Sequence, residues 1–401
     1  MGKKFYQRLL SGILGLSVLC TGLTVAVSAN QAEDYDHLLL MAEAEDARMF
    51  GNAKRYDAAE ASKGGIAGDI GPNAGTVEHY VVFDVSAPET ETYKLVFAGI
   101  NAEGERRLYV SVNGGEPEIL ELNSGSWSKP ADAAPMLAEL QKGKNEIKCY
   151  NPNGRVPNLD VLKIYTQGDF QPEEGAVYLS DLEWERAESG WADHPVQKDK
   201  PIQGNVLVLA CDTPIAKGIG THAQSEIVYK LGGAYERFRS AVGVAYNRYG
   251  SSASVRFQVI GDGTELYDSG EMKGAPYTSP QFIDVDITGV DELKLVVDSC
   301  GSNADDWANF GYARLLPPST QPGEREDLEK AIAEAEGLKE TDYTPDSWAL
   351  LQAALAAAKE LPDTAGQGAV DDAEKAIRDA IDDLDPVQKP PVKISTTIRS
   401  R

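Results

Sequence analysis

From residue 36 to 166 apolar and polar positions alternate with a period of two in short runs. Examples are Val81-Val82-Phe83-Asp84-Val85, Tyr93-Lys94-Leu95-Val96-Phe97, Leu108-Tyr109-Val110-Ser111-Val112 and Val161-Leu162-Lys163-Ile164. Successive side chains of a strand point to opposite faces of a sheet, so this period is a strand's. Gly64-Gly65, Asn73-Ala74-Gly75, Asn113-Gly114-Gly115 and Lys142-Gly143-Lys144-Asn145 interrupt the runs. Short strands between frequent turn residues predict an all-β sandwich without a helix of useful length. A polar connector, 167–175, leads to a second block of the same character over 176–316. Its strand candidates are Val206-Leu207-Val208-Leu209, Glu226-Ile227-Val228-Tyr229, Val255-Arg256-Phe257-Gln258-Val259, Phe282 to Ile287 and Leu293 to Val297.

After the proline-bearing linker 317–323 the hydrophobic period changes to that of a helix. Leu328, Ala331, Ile332, Ala335 and Leu338 line one face, Trp348, Leu351, Leu355 and Ala358 a second, and Val370, Ala373, Ile377, Ile381 and Leu384 a third. Thr344-Pro345 starts the middle helix, because proline at the first helical position gives up an N–H that has no partner there anyway. The expected fold is multidomain and mainly β: two tandem β-sandwiches, a small three-helix bundle over 324–385, and a tail, 386–401.

Lys3, Lys4 and Arg8 precede an apolar stretch from Leu9 to Val27, and Val27-Ser28-Ala29 offers the small residues of a cleavage site, so 1–29 reads as a signal peptide. The rival reading is a retained anchor of ~20 residues, which Gly12, Ser17, Cys20, Gly22 and Ser28 dilute. The expectation is a secreted chain with no membrane insertion after cleavage; association with a cell surface stays open. Lys+Arg number 38 against 63 Asp+Glu, a formal charge of −25, and cleavage removes three cations and no acid. Nucleic-acid binding is excluded as a class, since phosphate backbones are held by clustered Lys and Arg and no basic run occurs outside the short tail. The bundle adds to the imbalance with 6 Lys+Arg against 18 Asp+Glu over 324–385, which reads as a solvated acidic spacer. Cys149 lies in a strand-like run and is read as a buried thiol, and a bridge between Cys211 and Cys300 stays open.

Catalysis lacks its parts. The chain has four histidines, His37, His79, His194 and His222, with no Gly-x-Ser-x-Gly and no His-Glu-x-x-His. Any two of its many carboxylates could be nominated as a glycosidase pair, so such a pair carries no information. Neither block has room for the (β/α)₈ barrel of roughly 250 residues that many such enzymes use. The chain is therefore read as non-catalytic.

Met41-Ala42-Glu43-Ala44-Glu45-Asp46-Ala47, Gly64-Gly65, Val112-Asn113-Gly114, Ser126-Trp127, Gly143 to Ile147 and Pro157-Asn158-Leu159-Asp160-Val161 fall in an order that resembles family 35 and family 6 carbohydrate-binding modules. That resemblance implies a structural calcium, for which Glu43, Glu45 and Asp160 offer hard oxygens, the two glutamates lying two apart and so on one face of a strand. It also implies sugar contacts from loops at one end, which would be Trp127, Tyr150, Asn151 and Asn153: an aromatic ring stacks on a pyranose and an amide bridges hydroxyls. A core role for Trp127 is the alternative.

In the second block Tyr178 to Leu182, Gly190-Trp191, Lys198-Asp199-Lys200, Lys217 to Ile227 with Gly220-Thr221-His222 at its centre, Val242-Gly243-Val244, Asp262-Gly263, Ser269-Gly270 and Asp306-Trp307-Ala308 resemble the NPCBM domain, the family 51 carbohydrate-binding module. The resemblance implies a galactose-binding-like jelly roll and a site for terminal galactose-type sugars near His222, Trp307, Asp306 and Trp191, with Lys198 second and Trp184 in the core. Ala245-Tyr246-Asn247 and Asn303 to Asp306 depart from that family's usual residues, which leaves the sugar open. Tyr343 to Trp348 and Val370 to Ala373 are similar to FIVAR modules, spacers of secreted multidomain proteins. The expected function is glycan binding by tandem sandwiches. The rivals are a targeting portion of a larger glycoside hydrolase and an adhesin or spacer that binds no sugar.

Overall fold

The structure is a computed structural model that describes residues 35–71, 79–167, 172–173, 175–209, 211–318, 325–363 and 365–386. The export-signal reading of 1–29, most of the proline linker and nearly all of the tail lie outside these residues.

The first sandwich has a seven-stranded and a five-stranded sheet. In the larger, Glu91–Asn101 and Asn158–Thr166 form the centre, and His37–Glu43 pairs with the latter, setting Glu43 opposite Val161. The smaller runs Arg48–Phe50, Tyr80–Ala87, Gly143–Tyr150, Arg107–Val112, Glu118–Glu121. The inward positions of the alternating runs, Phe83, Val85, Leu95, Phe97, Leu108, Val110, Leu162 and Ile164, meet in one core. Burying each such side chain contributes about 1.5–3 kcal/mol. Cys149 is buried in that core as a free thiol, and burial pushes it well above its ordinary range.

The second sandwich has two six-stranded antiparallel sheets. One centres on Trp307–Leu316, flanked by Gly218–His222 and Arg237–Val244; the other centres on Glu292–Ser299, between Ser225–Lys230 and Ser254–Gly261. Phe257 and Phe310 meet edge to face across the core at 5.1 Å. Trp184 packs against this core from its partly exposed edge. Val206 to Leu209 is not a strand. Leu207 makes a single bridge to Ile215, and the neighbouring carbonyls are taken by side chains: Asn309 Nδ2 donates to Val208 O at 2.9 Å and the Tyr277 hydroxyl to Leu209 O. Cys211 and Cys300 are free, the first buried and the second exposed.

Three helices follow, α1 (Glu326–Gly337), α2 (Pro345–Glu360) and α3 (Gln367–Asp382). The three predicted faces close on one another in a single small core, and α2 starts at Pro345 after Thr344. No helix among the described residues is long and apolar enough to cross a membrane.

The three bodies touch through ion pairs, and the two sandwiches also through the Tyr246 and Tyr249 hydroxyls. Asp284 of the second sandwich lies between Arg237 and Arg239, each at 2.8 Å, and also pairs with Lys142 of the first sandwich. Arg239 reaches Glu89 of the first sandwich at 2.9 Å and Glu173 of the connector at 2.8 Å. Arg314 holds Glu173 at 2.6 Å. Arg237 pairs with Asp372 of α3 as well.

Candidate functional site

Each sandwich carries a candidate site at its rim. In the second, antiparallel pairing sets His222 opposite Trp307. The Gly190 N–H donates to His222 O at 3.0 Å, which brings the following Trp191 beside them. A side chain at Gly190 would place its Cβ within 2.1–2.3 Å of the Ala223-Gln224 backbone, so this approach needs a glycine. The Trp191 ring lies 5.5 Å from His222 and 6.3 Å from Trp307, and stacks on His194 at 3.6 Å. Asp306 is buried, with Oδ1 accepting the Ser254 N–H at 2.8 Å. Burial raises its carboxyl above the ordinary range, against the pull of that bond and of His222.

Four of the five residues read from the sequence thus converge. Lys198 does not join them: its Nζ donates to Leu182 O at 2.5 Å and lies 4.7 Å from the Trp184 ring. Trp307 is only 6% exposed, and the Arg248 guanidinium covers its ring at 3.4 Å. Arg248 was not among the sequence candidates; its neighbours Ala245-Tyr246-Asn247, where the sequence departs from the family's usual residues, were the signal.

In the first sandwich a cavity of about 320 Å³ opens between Trp127, Tyr56, Asp69, Arg106 and Asn158. Trp127 is 51% exposed, and the Arg106 guanidinium lies over its ring at 4.7 Å. Arg106 is itself held by Glu103 at 3.1 Å. The Tyr56 hydroxyl donates to Asp69, and Lys54 pairs with Asp69 at 3.4 Å. Gly68 makes room for this wall, since a Cβ there would lie 2.9 Å from the Tyr56 ring and 3.1 Å from Asn158 Oδ1.

The other three loop candidates lie elsewhere. Asn151 is buried and braces its loop, donating to Arg107 O at 3.1 Å and Arg155 O at 3.3 Å while accepting from the Asn153 N–H at 2.9 Å. It therefore supports the cavity wall that carries Arg155. Tyr150 stands on the sheet face opposite the core, 5.7 Å from Tyr109 and beneath Lys148. Tyr56, Asp69, Arg106 and Asn158 escaped sequence reading because they come from four separate segments; only Asn158 belonged to a quoted motif.

Glu43, Glu45 and Asp160 are all buried. The strand ends at Glu43, however, and Glu45 lies in the following 3₁₀ turn, Ala44–Asp46, so the two glutamates do not share a strand face as the spacing implied. Ser62 links Glu43 and Asp160, its hydroxyl donating to Glu43 Oε1 at 2.9 Å and its N–H to Asp160 Oδ1 at 2.8 Å. Glu43 Oε2 and Glu45 Oε2 are buried without a hydrogen-bond partner. Burial raises both carboxyls to about 7. Buried acceptor oxygens without donors are the chemistry that a hard cation satisfies, so the glutamates fit one. Among the described residues, no group of three or more His, Cys, Asp or Glu is drawn together as a metal cage.

Two antiparallel sheets over one core, with an aromatic and histidine cluster at the rim, define the second body as a compact β-sandwich module. Residues 175–316 form an NPCBM/NEW2 domain. The chain is 33% identical over 206 residues to a Renibacterium salmoninarum protein named as an endo-alpha-N-acetylgalactosaminidase, covering 48% of this chain and 13% of that protein. It is similar to the family 51 carbohydrate-binding module of a Clostridium perfringens family 95 glycoside hydrolase, solved with methyl-galactose (40% identity, 35% of this chain, 99% of that one, TM-score 0.33). It is also similar to a family 35 module from Clostridium thermocellum (30% identity, 32% of this chain, 99% of that one, TM-score 0.30).

Proposed function

We propose that the chain is a secreted, non-catalytic glycan-binding protein. In this reading the NPCBM/NEW2 domain takes terminal galactose-type sugars at the Trp191–His222–Trp307 rim, and the first sandwich holds a second sugar in the Trp127 cavity. The observation that carries it is the convergence of Trp191, His222, Asp306 and Trp307 at one edge of the domain that matches the family. The partly exposed Trp191 ring there offers a face to the apolar side of a pyranose, the His222 imidazole serves its hydroxyls, and the buried Trp307 and Asp306 support them from behind. At the cavity Trp127 supplies the ring, while Asn158, Asp69 and Arg106 supply donors and acceptors. Glu43, Glu45 and Asp160 would hold a calcium ion, which when bound neutralises buried carboxylates and ties two strands together. The test is a glycan array on the full chain in calcium and again in chelator, with galactosides, blood-group structures and uronic acids. Galactoside binding is the expected result; an array blank in both buffers would sink the reading.

One observation favours a second reading, a targeting portion of a larger glycoside hydrolase: the named relative is several times longer than the segment it shares with this chain. The mass of the native gene product, or an open frame continuing into hydrolase sequence, decides between the two.

A further inference from the structure

We propose that the first sandwich sets the candidate sugar site of the second through one 3₁₀ turn, with Arg248 as the positioning residue; this rests on reading the Trp191–His222–Trp307 rim as the sugar site. The turn, Tyr246–Arg248, follows the strand Arg237–Val244 directly. It is pinned to the rim at its start, where the Ala245 N–H donates to Trp307 O at 2.9 Å. It is closed on itself by Arg248 N–H to Ala245 O at 2.7 Å and Tyr249 N–H to Tyr246 O at 3.0 Å. A turn held by its own backbone bonds moves as a unit.

Its side chains face two ways. The Arg248 guanidinium carbon lies over the Trp307 ring at 3.4 Å, and the group approaches Asp305 at 3.7 Å. Tyr246 and Tyr249 pack their rings against the core of their own sandwich beside Tyr277, at 5.6 Å and 5.5 Å, and turn their hydroxyls to the other sandwich. The Tyr246 hydroxyl donates to Glu43 Oε1 at 3.1 Å in a buried setting, and the Tyr249 hydroxyl to Glu45 Oε1 at 3.3 Å. Lys63 of the first sandwich sits over both rings, at 4.1 Å and 5.6 Å. A hydrogen bond constrains direction as well as distance, so each hydroxyl is tied to its carboxyl across the junction. The first sandwich therefore adds a second anchor to rings that their own core already holds. Because Arg248 lies between them in sequence, the same contacts fix the guanidinium on the ring. Trp307 has one face under Arg248, so a sugar entering the rim meets the arginine's donors beside the indole instead of a bare ring. Arg248 thereby orients a sugar hydroxyl that Trp307 alone would leave undirected. Reciprocity follows: a sugar that binds the ordered rim better must also tighten the junction between the sandwiches.

The experiment uses the full chain labelled with 5-fluorotryptophan, and Trp307→Phe assigns the Trp307 fluorine resonance. The double variant Tyr246→Phe with Tyr249→Phe keeps both rings and removes both hydroxyls. It is expected to shift the Trp307 resonance and to weaken methyl-galactoside binding by roughly fivefold or more, the lower end of coupling between linked sites. Arg248→Ala is expected to weaken binding similarly. Lys63→Met, an exposed change that touches neither Trp307 nor Arg248, moves the resonance in the same direction and covers the case in which the double variant fails to fold. An unmoved Trp307 resonance in the folded tyrosine double variant, or unchanged binding in Arg248→Ala, overturns the proposal. A wild-type chain that binds no galactoside while its resonance still responds removes the sugar reading and leaves the coupling supported.

Discussion

Trp127 and Trp307 look alike in the sequence, each next to a small polar or acidic residue in a motif, yet they stand in opposite environments. Trp127 is half exposed beside a cavity, whereas Trp307 is buried between Arg248 and Trp191. Trp127→Ala therefore removes a contact surface with little buried packing behind it, and the thermal midpoint is expected to stay close to wild type while binding at the first sandwich is lost. Trp307→Ala opens a void and is expected to cost about 3–5 kcal/mol, as large aromatic truncations in cores do. Denaturant melts on the two variants check this, and equal destabilisation would show that the environments are misassigned. A subtler change is Gly68→Val. Its Cβ would fall 2.9 Å from the Tyr56 ring, and that ring is the mobile end of a side chain, so the fold is expected to survive while the cavity narrows. Calorimetry with the ligand of the first sandwich should show the loss, and circular dichroism should show none.

At the scale of elements, periodicity carried most of the information. Every helical face read from the sequence lies in the bundle core, because a period near three and a half has one physical use when the helices are this short. Most strand runs were legible for the same reason. Val206 to Leu209 was not, since an apolar run of four satisfies a strand pattern whether or not a neighbour offers a ladder, and here the carbonyls of Val208 and Leu209 go to Asn309 and Tyr277. Glu45 shows the same limit: strand spacing was applied one residue past the point where the strand becomes a turn. The docking of α3 was invisible as well, resting on Gly368, whose missing side chain leaves room for Arg237; a Cβ there would sit 2.6 Å from Arg237 Cδ. Gly368→Leu is expected to lift the bundle from the second sandwich without unfolding either. Small-angle scattering should show a larger radius of gyration, and an unchanged profile would mean that other contacts hold α3.

For the molecule as a whole, the decisive residues are far apart in the chain. Glu89, Lys142, Glu173, Asp284 and Asp372 share no motif, and no pattern in a single sequence brings them together. Burial alone would raise the Asp284 carboxyl, but Lys142, Arg239 and Arg237 outweigh it and hold it well below the usual range. At Glu173 burial is likewise outweighed, by Arg314 and Arg239, and the carboxyl falls from 4.5 to about 2. A carboxyl whose folded value is depressed stabilises the fold above its unfolded value and loses that contribution as pH falls through the folded one. The Glu173 contribution should therefore be complete above pH 4.5 and disappear towards pH 2. Stability of the wild type measured across that window should decline more steeply than that of Glu173→Gln; parallel curves would remove the carboxylate from the account. Asp284→Asn, which leaves two largely buried guanidinium groups short of a counter-charge, is expected to cost about 3–5 kcal/mol.

The charged junction also bears on how this protein could be turned into a reagent. A staining probe cut from the NPCBM/NEW2 domain alone would carry Arg237, Arg239, Arg314 and Asp284 onto an open surface, without the Lys142, Glu89, Glu173 and Asp372 that face them in the intact chain. That surface would offer three guanidinium groups against one carboxylate, a patch that attracts sulfated and sialylated contaminants whatever sugar the rim selects. A clean probe would either keep the first sandwich, connector and bundle as its chaperoning surface or replace the three arginines before use.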